Sequence, residues 1–156
     1  MAQNEITLEG WKDVISRLQK VGLDLKSRQL FARMGIAVQF AIKDRVFVKG
    51  LDVENKPMRP YSPKYKKKRE KRGLPTEHVD FMYDGGMWSA FTHAVTEDQL
   101  EIFFLNTQDK NGVSNAAKAF FLNEDRNWFG LTPEEEQLAR DVYQDHLRQL
   151  ESQFNR

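Results

Sequence analysis

Apolar residues at Leu8, Trp11, Ile15 and Leu18 recur at intervals of three and four, which places them on one helix face. Thr7 is the expected N-cap. Gly22 is the expected stop, because glycine enters the left-handed conformation of helix C-termini without strain. A second helical pattern runs from Ser27 to Val48, with Leu30, Met34, Val38, Ala41 and Ile42 on one side. At about 1.5 Å per residue it spans roughly 30 Å, long enough to support a small sheet.

After Gly50 the pattern breaks. Pro57, Pro60, Pro63 and Pro75 interrupt both helix and central strand, so residues 50–80 read as a long extended loop. Lys64 to Lys71 is free of proline and allows two turns of helix. Its only apolar contribution is Tyr65, so it is expected to order only against a partner or neighbouring subunit.

Asp84-Gly85-Gly86 reads as a turn, and Met87–Val95 and Leu100–Asn106 as an antiparallel hairpin closed by Thr96-Glu97-Asp98-Gln99. Leu100, Ile102 and Phe104 share the apolar face. Ser114 to Leu122 is expected to be a short helix carrying Ala117, Phe120 and Phe121, and Asn127 to Gly130 a short strand or turn. The last helix has the clearest start: Thr132 as N-cap, Pro133 at the first helical position and Glu135 at N3, a capping-box pattern. Ala139, Val142, Tyr143, Leu147, Leu150 and Phe154 form its stripe. These elements give a single α+β domain over 1–156: a helical region 1–49, an extended basic arm 50–80, a sheet region 81–131 with a short helix, and a C-terminal helix 132–156.

Charge changes this picture most. From Lys56 to Arg72 there are nine basic residues and one acidic; the chain has 24 Lys plus Arg against 23 Asp plus Glu, so the remainder holds 15 against 22, a formal net of −7. A local positive field of this kind attracts phosphate or acidic protein. Lys64, Lys66, Lys67, Lys68, Arg69, Lys71 and Arg72, with Tyr61 and Tyr65 interleaved, are the candidate contacts to nucleic acid or to a partner. The plain alternative is a solvated charge run that keeps the loop open.

Trp88 and Trp128 each stand two residues from a glycine at an expected turn; core packing is the favoured expectation for both, and a subunit interface, where tryptophan is enriched among residues that dominate binding, is the alternative. The other aromatics, Phe91, Phe103, Phe104, Phe120, Phe121 and Phe129 among them, are expected in the core.

Signals for an enzyme are sparse. His78, His93 and His146 are not at metal-ligand spacing, no phosphate-binding glycine loop occurs, and Ser89 and Ser114 lack a nucleophile-elbow context. No catalytic, metal or cofactor residue is therefore expected. The absence of cysteine excludes disulfides and thiolate sites. The opening MAQNEITLEGWKD has neither a basic start nor an apolar run, so no secretory signal is expected, and no apolar stretch reaches the roughly 20 residues of a membrane span.

The order of elements carries a resemblance. A long helix precedes Asn55-Lys56-Pro57-Met58-Arg59-Pro60-Tyr61-Ser62-Pro63-Lys64-Tyr65 and a Lys/Arg run. Val79-Asp80-Phe81-Met82-Tyr83-Asp84-Gly85-Gly86-Met87-Trp88 leads into strands, and Asn127-Trp128-Phe129-Gly130-Leu131-Thr132 precedes the closing helix. Over roughly residues 30 to 150 the chain resembles the tail-completion and virion-morphogenesis proteins of tailed bacteriophages. Asn55 stands where that family carries glycine, Met58 where it carries tryptophan, and Asp84-Gly85-Gly86-Met87 at its Thr-Gly-x-Leu turn.

The resemblance implies a non-enzymatic virion protein, assembled in the host cytoplasm and placed in a ring at the head-tail neck. Its partners would be copies of itself and neighbouring neck, connector or tail-tube proteins, with the basic arm docking first and tolerating DNA in the channel. The alternative is a nucleic-acid-binding accessory protein using segment 56–72. A small hydrolase would need a pocket of converging polar groups with displaced pKa values.

Overall fold

The computed structural model of this chain describes residues 27–96 and 99–154. The helix expected over Leu8 to Val21, and Glu97 and Asp98 of the expected hairpin turn, lie outside them. Among the described residues the chain forms five α-helices and a two-stranded antiparallel sheet, an α+β protein.

Helix α1 covers Ser27–Lys43 and continues as a π-helical stretch, Asp44–Val48. Leu30, Met34, Val38, Ile42 and Val46 recur every four residues and are all buried, as a helix with one apolar stripe requires. The wider final turn buries three consecutive residues, Arg45, Val46 and Phe47. Its C-terminal carbonyls are satisfied by Lys49 N–H donating to Asp44 O at 2.9 Å and Leu51 N–H to Arg45 O at 3.0 Å.

Helix α2 is Pro63–Glu70, and Met87 to Ala90, expected as strand, instead belong to the short helix α3 (Gly86–Ala90). The cause is the glycine pair. Gly85 adopts φ 81° and Asp84 Oδ1 accepts the Gly86 N–H at 3.0 Å, which starts a helical turn. Strand β1 (Phe91–Val95) follows and pairs with β2 (Leu100–Phe104). Helix α4 (Asn115–Arg126) is capped by Ser114, whose Oγ accepts the Ala117 N–H, and ends on Asn127 at φ 44°. Helix α5 is Pro133–Phe154.

Packing divides the chain into two compact units, residues 39–92 with 103–132, and residues 27–38 with 93–102 and 133–154 among those described. In the second, Ala139, Tyr143 and His146 are buried on α5, and Arg33 donates to Asp145 at 3.0 Å and Gln149 at 3.2 Å. Val142, Leu147 and Leu150 are half-buried, and the Phe154 side chain lies outside the described set.

A Cβ on Gly35 would sit 2.5 Å from His93 Cδ2 and 2.8 Å from Leu100 Cδ1. Alanine favours a helix interior over glycine by about 1 kcal/mol, while overpacking costs about 1–3 kcal/mol. Gly35→Ala is therefore expected to lower the midpoint of urea unfolding, despite its better helix propensity.

The first unit is built around aromatic rings. Trp128 is fully buried, with ring centroids of Phe81 at 5.4 Å, Phe129 at 5.5 Å, Phe104 at 5.6 Å and Phe47 at 6.4 Å. Of its two expected places, core and subunit interface, Trp128 takes the core. The left-handed Asn127 turns the chain inward, and the buried Arg45 guanidinium fixes it there by donating to Trp128 O at 3.1 Å and Gly130 O at 2.8 Å. Trp88 is half-buried, edge-on to Phe47 at 4.9 Å, with the Lys43 ammonium 5.0 Å from its ring. Phe120 and Phe121, expected in the core, are 61% and 66% exposed; the residues α4 buries are Asn115 and Ala119.

Candidate nucleic-acid and partner interface

The basic segment is not held only by a partner, as its sequence suggests. It folds within the chain. Residues 50–58 form a tight reversal in which Asp52 Oδ1 accepts the N–H groups of Glu54 and Lys56, both at 2.9 Å, and Leu51 bridges Pro57. Ser62 then caps α2, accepting the Tyr65 N–H at 3.3 Å, with Pro63 at the first helical position. Gly73 at φ 67° ends it, its N–H donating to Glu70 O at 2.9 Å.

What anchors α2 is Arg69, a residue expected among the contacts. It has no exposed surface. Its Nη2 donates to both Asp80 carboxylate oxygens at 2.8 and 2.9 Å, Nη1 to Met82 O at 2.9 Å and Nε to Pro75 O at 2.8 Å. Contact of Nη2 with both carboxylate oxygens, with Nη1 and Nε each donating to a carbonyl, is the condition under which a buried ion pair repays its desolvation. Tyr61, also expected at the surface, is buried in the same cluster: the Arg69 guanidinium lies 4.7 Å from its ring. Its hydroxyl donates to Asp80 Oδ1 at 3.0 Å and accepts the N–H groups of Asp80 and Phe81 at 3.2 and 3.0 Å. Phe81 sits at φ 52°, a strained conformation for a bulky residue, which these bonds hold in place.

Burial, then the charge of Asp80, pushes the Tyr61 hydroxyl from 10.0 up to about 12. A raised folded value means that the native state holds the proton more tightly. The contribution is fully present below pH 10 and lost as pH rises to about 12. Tyr61→Phe leaves two buried N–H groups without an acceptor, an expected loss of about 1–3 kcal/mol at neutral pH. Thermal melts from pH 7 to pH 12 check it: the variant melts lower at neutral pH and loses less of its remaining stability on the alkaline side.

With Arg69 and Tyr61 turned inward, α2 presents Lys64, Lys67, Lys68 and Lys71 outward. They stand at i, i+3, i+4 and i+7, one helix face, and all are exposed. None makes an ion pair with a carboxylate among the described residues. Lys66 and Tyr65 are half-buried and Arg72 is exposed. Arg72 stacks 4.3 Å from the Tyr83 ring, with Lys68 at 5.2 Å. A hydrogen bond from Arg72 holds the Tyr83 hydroxyl below its ordinary range.

Beside this face lies a cleft of about 650 Å³, lined from four stretches of the first unit: 59–68, 81–87, 109–111 and 118–126. Tyr65, Tyr83, Met87 and Phe121 give it an aromatic and apolar lining. Its charged rim is largely fixed. Arg59 pairs with Asp125 at 2.9 Å, Arg126 with Asp125 at 2.7 Å and Lys118 with Asp109 at 2.6 Å. The hydrogen bond from Lys118, with those from Val113 and Asn111 N–H, holds the Asp109 carboxyl down to about 2. Lys68 and Lys110 have no carboxylate partner among the described residues.

Sequence reasoning missed Tyr83, Phe121 and Lys110, which lie 11 or more positions from the basic run and reach the cleft only through the fold. Among the described residues no three His, Asp or Glu side chains gather where they could hold a metal, and no helix is long and apolar enough to cross a membrane. Comparison with protein-family models, with curated proteins and with solved structures finds no match to this chain.

Proposed function

We propose that this is a structural virion protein of a tailed phage, acting in tail completion or head-tail joining at the neck as one subunit of an oligomeric ring. It docks there on copies of itself and on neighbouring neck, connector or tail-tube proteins, after assembly in the host cytoplasm. The resemblance of Asn55 to Tyr65, Val79 to Trp88 and Asn127 to Thr132 motivates the reading. The observation that carries it is the outward lysine face of α2, locked from beneath by Arg69 and Asp80. A surface that is already ordered loses less conformational entropy on docking than a flexible arm does, and its uniform charge selects an acidic partner.

Lys64, Lys67 and Lys71 are exposed, so their replacement by Glu spares the fold. The triple variant is expected to fold normally and to reduce infectious particles by roughly tenfold or more, the effect of about 1.4 kcal/mol at one contact, with unjoined heads and tails accumulating. An undiminished titre contradicts the proposal.

A second reading is favoured by the same four lysines standing together on one face with none in an ion pair among the described residues: a nucleic-acid-binding accessory protein that uses segment 56–72. It requires retention of DNA in a low-salt gel shift, with affinity falling steeply as salt is added.

A further inference from the structure

The lysine face and the aromatic cleft are continuous, because Tyr65 and Lys68 line both the cleft and the groove formed by Lys64, Lys67 and Lys71. We infer that this composite surface binds a single nucleic-acid strand, with a base entering the cleft against Tyr65 and Phe121 and phosphates running along Lys68, Lys64, Lys67 and Lys71. The inference rests on the second reading, contact of segment 56–72 with nucleic acid, and adds the strand state and the site of the base.

Two features select this occupant. The cleft and the groove beside it carry ammoniums without a carboxylate partner, on Lys68 and Lys110 in the cleft and on Lys64, Lys67 and Lys71 along the groove; the Asp84 carboxylate, also in the cleft lining, accepts the Gly86 N–H at Oδ1. Beside them is a slot lined by aromatic rings, including the 66%-exposed Phe121. A ligand with a ring and a negative charge on every unit is a nucleic-acid strand. A duplex keeps its bases stacked and offers no ring to the slot, whereas an unpaired strand does, and stacking on aromatic side chains tolerates any sequence. An acidic peptide supplies the charge without a ring on each unit.

Anisotropy titration of labelled oligo-dT of about 15 nucleotides, a length within reach of such sites, against a duplex of equal length tests this. The single strand is expected to bind more tightly, with a log-log salt slope of about −3 from four phosphate contacts. Replacing Lys64, Lys67 and Lys71 with Ser is expected to flatten that slope to about −1. Phe121→Ala is expected to weaken binding roughly 5- to 150-fold, the range for one lost base stack, with the slope unchanged. Phe120→Ala, similarly exposed but outside the cleft lining and only edge-on to the Phe121 ring at 5.7 Å, is expected to weaken binding less than Phe121→Ala does.

Equal binding of duplex and single strand, or an unaffected Phe121→Ala variant, overturns the inference while the second reading stands. No binding of either at low salt overturns both. Displacement of the strand by an acidic peptide of equal charge assigns the cleft to a protein partner and also overturns the inference.

Discussion

Arg69→Met is expected to destabilise the unit that holds α2 by about 3–5 kcal/mol, the range for breaking a buried ion pair from one side. The magnitude follows from what is left behind. Asp80 remains buried with its charge, and the carbonyls of Pro75 and Met82 lose their donors. Urea unfolding measures it. Combining Arg69→Met with Asp80→Asn is expected to cost less than the sum of the two single changes, since the double variant no longer strands a charge. Strict additivity would mean that Arg69 and Asp80 do not act as a pair.

Trp128→Ala is expected to cost about 3–5 kcal/mol, the usual range for emptying a large aromatic site. Four rings surround the indole, and the backbone at 128 and 130 is held by Arg45, so the site has little room to collapse. Loss of cooperative unfolding, or a melting temperature reduced by roughly 10 °C or more, is the expected readout. A near-neutral effect would favour the alternative place for Trp128, at a subunit interface.

The contrast between these two residues and their sequence context explains what could be read in advance. Periodicity of three and four identifies α1 and α5, and the Ser114 and Thr132-Pro133 signals place two helix starts, because these depend on local backbone chemistry. Arg69 could not be distinguished from Lys67 or Lys68. Its burial depends on Asp80, 11 positions away, and on the turn at Gly73 that brings the two together. Trp128 stays open between core and interface in the sequence for the same kind of reason: the left-handed Asn127 and the Arg45 guanidinium, 83 positions away, decide which way it points. Phe120 and Phe121 show the reverse, apolar residues on a helix pattern that the fold leaves outside.

The candidate site was legible in part. Its outward lysines come directly from the run 64–71, while Tyr83, Lys110 and Phe121 join it through tertiary packing. The glycine pair at Gly85-Gly86 marked a turn correctly but not the helix that follows, since a left-handed residue can begin either.

Lys64, Lys67, Lys68 and Lys71 stand outward on a segment that is folded before any partner arrives. Amide hydrogen exchange on the isolated wild-type protein tests it most directly, read at Lys66, Lys71, Arg72, Gly73 and Leu74, whose N–H groups close α2 and its C-terminal turn. Exchange slowed well below the rate of an unstructured chain, and restored to that rate by Arg69→Met, is the predicted result. Unprotected exchange in the wild-type protein, with protection appearing only on addition of a partner, would contradict it.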